Sequence, residues 1–179
     1  MSDTMMDARY GELENDGTLR LERLLPGPIE RVWAYLTQSE LRAKWLAAGE
    51  MPLSDGAPFQ LTWNNSQLTD PPGAPPEGMG DCHAMDSRIT ELDAPHRLSF
   101  AWSDTGDVTF ELKEVGDEVL LTVIHRQLPA TGNLRKYVSA GWHAHTDILA
   151  AELRGARPAR PFWDNWTALT EDYTARLGL

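Results

Sequence analysis

Apolar and polar residues alternate through Thr18–Leu24, where Leu19, Leu21 and, after Arg23, Leu24 stand among Arg20, Glu22 and Arg23. A period of two predicts a strand with one face in a core. Pro26-Gly27-Pro28 ends it, and Pro28 suits the first turn of a helix, where a missing N–H costs nothing. Ile29, Val32, Trp33 and Leu36 then recur at helical spacing. Ser39 caps a second short helix holding Glu40, Leu41, Trp45 and Leu46, with Gly49 as its stop.

From Met51 to Leu128 the pattern is mostly that of strands. Phe59, Leu61 and Trp63 alternate with polar residues. A strand is expected over about 82–92, with Ile89 and Leu92 out of clean alternation. Three more follow at Leu98/Phe100/Trp102, at Val108/Phe110/Leu112, and at Val119/Leu121/Val123/His125. Short turns between consecutive alternating strands predict an antiparallel meander. The other phase holds Ser99, Ser103, Glu111, Lys113 and Thr122 and is expected to face water. Residues 64–80 include Asp70-Pro71-Pro72-Gly73-Ala74-Pro75-Pro76, a loop too rich in proline for a central strand and long enough to be functional or mobile.

Asn133 opens the strongest helical stripe, through Leu134, Tyr137, Val138, Gly141, Trp142, His145, Ile148, Leu149 and Leu153. Residues 155–161 break it. Phe162, Trp163, Trp166, Leu169, Tyr173 and Leu177 form a second stripe, expected to pack outside the domain or on a second copy, which makes a homodimer one expectation. The division expected is a flexible leader at 1–9 and one domain at 10–179, with 155–179 as a helical extension.

A sheet with one apolar face must be covered, and only the helix beginning near Asn133 is long enough to do it. The class is therefore α+β: a curved antiparallel sheet of six to seven strands around a long C-terminal helix, with two short helices after the first strand. A coiled sheet touches such a helix along its length without filling the whole concavity, which leaves a hollow for a small, largely apolar molecule.

Composition narrows the partners. The net charge of −11 argues against nucleic acid and anionic membrane, and no stretch approaches a membrane span. Residues 1–14 lack the apolar core of a signal peptide. The single cysteine, Cys82, forms no intrachain disulfide and fits a cytoplasmic setting.

Seven tryptophans are many for 179 residues. Trp45, Trp63, Trp102, Phe110, Trp142 and Leu149 are the candidate apolar wall, and His125 and His145 fall in phase with it. These two are either hydrogen-bonded core residues or polar groups that orient a ligand or act as a base. His143 and His145 lie about 200° apart on a helix. His143 and Asp147 share a face but are too few for a closed metal site, so no metal is assigned. No nucleophile elbow, phosphate loop or paired-carboxylate motif is present, so no catalytic residue is named and no cofactor is implied.

Four segments carry a resemblance. They are Leu24 to Trp33, with Pro28, Glu30, Val32 and Trp33; Leu41 to Trp45; the pair Arg97–Trp102 and Val108–Leu112; and Gly141-Trp142 through Leu149. In this order they resemble the helix-grip, START-like superfamily, and within it homologues of the C-terminal domain of the heat-shock-protein-90 ATPase activator. Thr146 stands where the family pattern is apolar, and the proline loop is longer than typical. The resemblance implies binding of a small apolar ligand, with stress or resistance biology as the setting. An enzyme of the cyclase, dehydratase or hydrolase kind and a chaperone-regulating module are the alternatives.

Overall fold

The computed structural model describes residues 9–80, 82–103 and 106–179. Apart from Arg9, the expected leader lies outside them. The elements are β1 (Glu12–Leu13), β2 (Leu19–Pro26), α1 (Ile29–Thr37), α2 (Ser39–Arg42), β3 (Pro58–Asn64), β4 (Cys82–Asp93), β5 (Arg97–Ala101), β6 (Asp107–Val115), β7 (Glu118–His125), α3 (Leu134–Arg154) and α4 (Phe162–Leu177). The strands form one antiparallel sheet in the order β1-β2-β7-β6-β5-β4-β3. β3 to β7 are the expected meander, and β2 joins its last strand with Leu21 opposite Val123 and Leu25 opposite Val119. Ile89 and Glu91 flank a bulge, which is why β4 does not alternate cleanly.

The phase of β2 differs from the one read from its leucines. Leu19, Leu21, Arg23 and Leu25 are buried, and Leu24 is exposed. The inward row is thus unbroken in position but carries a guanidinium in third place. β1 meets β2 only at Leu19 and Arg20. Beyond them, the outer edge of β2 carries no strand among the described residues.

Ser99, expected to face water, is buried, and so is Thr109. Their hydroxyls bond each other at 2.7 Å, and Arg126 donates to Thr109 Oγ1 at 2.9 Å. A neighbouring strand pair satisfies the polar groups, so they tolerate burial. α2 also ends at Arg42, earlier than expected, and Trp45 and Leu46 follow it in a turn.

α3 packs chiefly against β2 and α4. Gly155 ends it in the left-handed conformation with φ 66°, donating to the Glu152 carbonyl while Ala156 donates to that of Ala151. The terminal stripe folds back onto the same chain: Phe162, Trp163, Trp166, Leu169 and Tyr173 are all buried. The proline loop docks there. Pro72 accepts the Trp163 N–H at 3.1 Å, and Thr69 Oγ1 accepts that of Phe162 at 2.9 Å. These two N–H groups are unsatisfied donors of the first turn of α4, so the loop caps the helix.

Within α3, a Cβ added to Gly141 meets nothing within 4 Å. Gly141→Ala is expected to stabilise the fold by about 0.5–1 kcal/mol, read as a higher urea midpoint. A lower midpoint would mean that the space beside Gly141 is needed.

Candidate ligand-binding site

The apolar wall residues meet inside the sheet as one chain of rings. Trp45 lies 6.1 Å from Phe110, Phe110 5.7 Å from Trp142, Trp142 5.6 Å from Trp102, and Trp102 5.6 Å from Trp63, centroid to centroid. Most of these pairs are edge-to-face or tilted, the arrangement favoured by ring quadrupoles. Period-two alternation aims Trp63, Phe110 and His125 from three strands at one side, and α3 supplies Trp142. Trp102 is half-buried and Trp63 stacks on His83 at 4.7 Å, so the rings run from the core toward the surface. Leu149 is buried on α3.

His125 closes on this group, 5.0 Å from the Trp102 ring. Its Nδ1 accepts the Trp142 indole N–H at 3.0 Å. An accepting Nδ1 places the proton of the neutral ring on Nε2. His145 points elsewhere, toward the turn after α2: its Nδ1–H donates to the Trp45 carbonyl at 2.8 Å, and its ring lies 4.9 Å from Phe162. The carbonyl can only accept, so here Nε2 carries the lone pair. Burial pushes both imidazoles down to about 4, with the Trp45 carbonyl partly opposing this at His145. Both are neutral at pH 7. Each ring's hydrogen bond among the described residues is made through Nδ1 and not through Nε2. His125 Nε2–H is thus a donor within the aromatic lining, and His145 Nε2 an acceptor beside Phe162.

A second polar group was not found from sequence. Arg23, the odd member of the β2 row, is buried and donates from Nη1 to the carbonyls of Arg9 and Glu22. Its Nη2 lies 3.2 Å from Asp147 Oδ1, and Asn165 donates to Asp147 Oδ2 at 3.2 Å. Beside them, Tyr173 accepts the Gly11 N–H at 2.7 Å, and its hydroxyl lies 3.0 Å from His143 Nδ1. Burial first, and then Arg23, Arg9 and Arg176, press His143 down to about 3, while burial raises Tyr173 to about 12. His143 Nε2 and Asp147 Oδ2, 3.7 Å apart, are therefore not an ion pair, because the ring is neutral. The available clue was the register of β2, which puts Arg23 in phase with Leu19, Leu21 and Leu25. Among the described residues, no three His, Cys, Asp or Glu side chains converge on a point where a metal ion could sit.

Known proteins match this architecture. No curated protein matches the chain, but solved structures do. A Bordetella parapertussis protein encoded by gene BPP1335 is 36% identical, with a TM-score of 0.76 over 92% of this chain and 88% of its own. The conserved protein EF2215 from Enterococcus faecalis, described as of unknown function, is 20% identical, with a TM-score of 0.68 over 94% of this chain and 89% of its own. CalU16 from Micromonospora echinospora is 18% identical at a TM-score of 0.61, covering 93% of each chain. The fold is therefore the helix grip. The family model described as activator of Hsp90 ATPase homolog 1-like protein matches residues 26–154, and with the Bordetella relative it establishes that this chain belongs to that family.

Proposed function

We propose that this chain binds a small, largely apolar molecule in the interior between sheet and α3. Trp63, Trp102, Phe110 and Trp142 would line the site, with Trp45 and Leu149 behind them and His125 as its polar contact, while His145 bonds the Trp45 carbonyl. The observation that carries the reading is the neutral His125, bonded to the Trp142 indole through Nδ1 and not through Nε2, beside the Trp102 ring. A ligand hydroxyl or carbonyl oxygen could accept from the His125 Nε2–H. DynU16, 20% identical and alike in fold, is described as a putative protein in the dynemicin biosynthetic locus; a setting of small-molecule chemistry accords with this reading.

Binding is favoured over catalysis because both histidines are poor bases at neutral pH. A chaperone-regulating role rests on the family description alone.

The test is thermal-shift screening against lipids, polyketides, flavonoids and aromatic acids. A ligand that binds only the folded state raises the melting temperature with concentration. A hit is expected to lose about tenfold or more in affinity in His125→Ala, because the unpaired ligand group is then buried without its partner. Absence of any hit, or a hit unaffected by both His125→Ala and Trp102→Ala, would defeat the proposal.

A further inference from the structure

A second concavity lies outside the interior. It is a half-open groove of about 930 Å³ bounded by the bare edge of β2, α3, the 155–161 link and α4. It shares no residue with the ring cluster. Its volume is that of a small-molecule site. Ala144, Ile148 and Ala151 of α3 and Leu24 of β2 form apolar floor, and Phe162 and Leu169 of α4 stand opposite. The short alanine side chains keep the groove open.

Its charge runs against that of the chain. Five arginines (Arg9, Arg23, Arg154, Arg157 and Arg160) line it, against three carboxylates, Glu22, Asp147 and Asp172. That is a local surplus of two positive charges in a molecule of net −11. Two of the carboxylates are already engaged, Asp147 by Arg23 and Asp172 by the Tyr10 hydroxyl at 2.7 Å. Arg154 is held at the rim by the Leu24 carbonyl at 2.9 Å. Arg157 and Arg160 are exposed and have no carboxylate partner among the described residues. At the deep end, the buried Arg23 Nε finds no acceptor. The groove is short of anionic oxygen and well supplied with donors.

We propose that this groove binds a small amphipathic anion, a molecule with a carboxylate or phosphate head and a short apolar body. The head meets the arginines, whose guanidinium forks match such oxygens, and the body lies on the alanine floor. A concave, apolar floor suits an inserted molecule better than the flat face of an acidic protein.

The test uses the full chain with decanoate, decyl phosphate, decanol and decyltrimethylammonium, followed by amide NMR and calorimetry. Decanoate and decyl phosphate are expected to bind saturably and to shift the amides of Leu24, Ala144, Ala151 and Phe162. Decanol should bind about tenfold more weakly or worse, and the cation weaker still. Arg157→Glu with Arg160→Glu, both exposed, should cost about tenfold in decanoate affinity with an unchanged melting temperature. Decanol binding as tightly as decanoate would overturn the proposal, as would a double variant that binds normally or shifts confined to Trp102, His125 and Trp142. So would sedimentation with phosphatidylglycerol vesicles without saturable binding of monomeric decanoate, which would assign the arginines to a lipid surface. Because the interior and groove residues do not overlap, failure here leaves the interior reading separately testable.

Discussion

Acidification from pH 7 to pH 5 is expected to cost this protein roughly 5 kcal/mol of folding stability through three histidines alone. In the unfolded chain an imidazole titrates near 6.5. In the fold, burial lowers His125 and His145 to about 4, and burial with Arg23, Arg9 and Arg176 lowers His143 to about 3. Between about pH 6.5 and 4 the unfolded chain therefore holds protons that the native chain refuses. Stability rises with pH wherever the unfolded state binds more protons, so it falls as pH drops through this window. Each ring contributes about 2 kcal/mol by pH 5. A domain's whole stability is about 5–15 kcal/mol, so the loss brings the protein near unfolding. Urea melts at pH 7 and pH 5 measure it directly. His143→Gln should remove about a third of the difference while leaving the two other rings to titrate. Equal stability at the two pH values would refute the assignment of neutral, buried rings.

Arg42→Ala is the substitution expected to be most damaging, costing about 3–5 kcal/mol. The Arg42 side chain is buried and unpaired with any carboxylate among the described residues. Its Nε donates to the Ala47 carbonyl at 3.1 Å, its Nη1 to those of Leu36 at 3.3 Å and Thr37 at 3.1 Å, and its Nη2 to that of Gly49. Leu36 and Thr37 are the last residues of α1, where the helix leaves carbonyls unsatisfied and favours a cation. One guanidinium thus fastens the end of α1 to the turn that carries Trp45 into the core. Gly49 is held from the other side as well, its N–H donating to Ser39 Oγ at 2.8 Å. Burial lowers the guanidinium to about 10, so it stays charged at neutral pH. Truncation strands four carbonyls. Arg42→Lys keeps the charge but not the fork, and should recover part of the loss. The exposed neighbour Lys44→Ala is the control and should change stability by no more than about 0.5 kcal/mol. An Arg42→Ala midpoint matching that of Lys44→Ala would contradict this account.

The ring cluster shows how far local pattern carries a site. Trp63, Phe110 and His125 could be assigned inward because each lies in phase with leucines or valines on its own strand, and Trp102 because it continues the row of Leu98 and Phe100 just past the end of β5. Trp142 followed from the stripe of α3. His145 belongs to the same stripe, yet its partner is the Trp45 carbonyl, 100 positions away in sequence. No period within α3 names that partner. Arg23 was misplaced for a related reason. Read from residue types, Leu24 continues the apolar row. Read from register against β7, Arg23 does, and its charge is tolerable there only because Asp147 and two backbone carbonyls converge on it.

Hydrophobic periodicity, prolines and glycines by themselves determined the strand meander, the α1 start, the long α3 and its stop at Gly155, because each depends on neighbours within a few residues. Tertiary structure decided what those elements enclose. It set which nitrogen of each histidine is engaged, folded α4 and the proline loop onto one another, and gathered arginines from β2, α3 and the following link around one groove. These outcomes depend on groups far apart in the chain meeting at distances of a few ångströms, and only the packed fold specifies such distances.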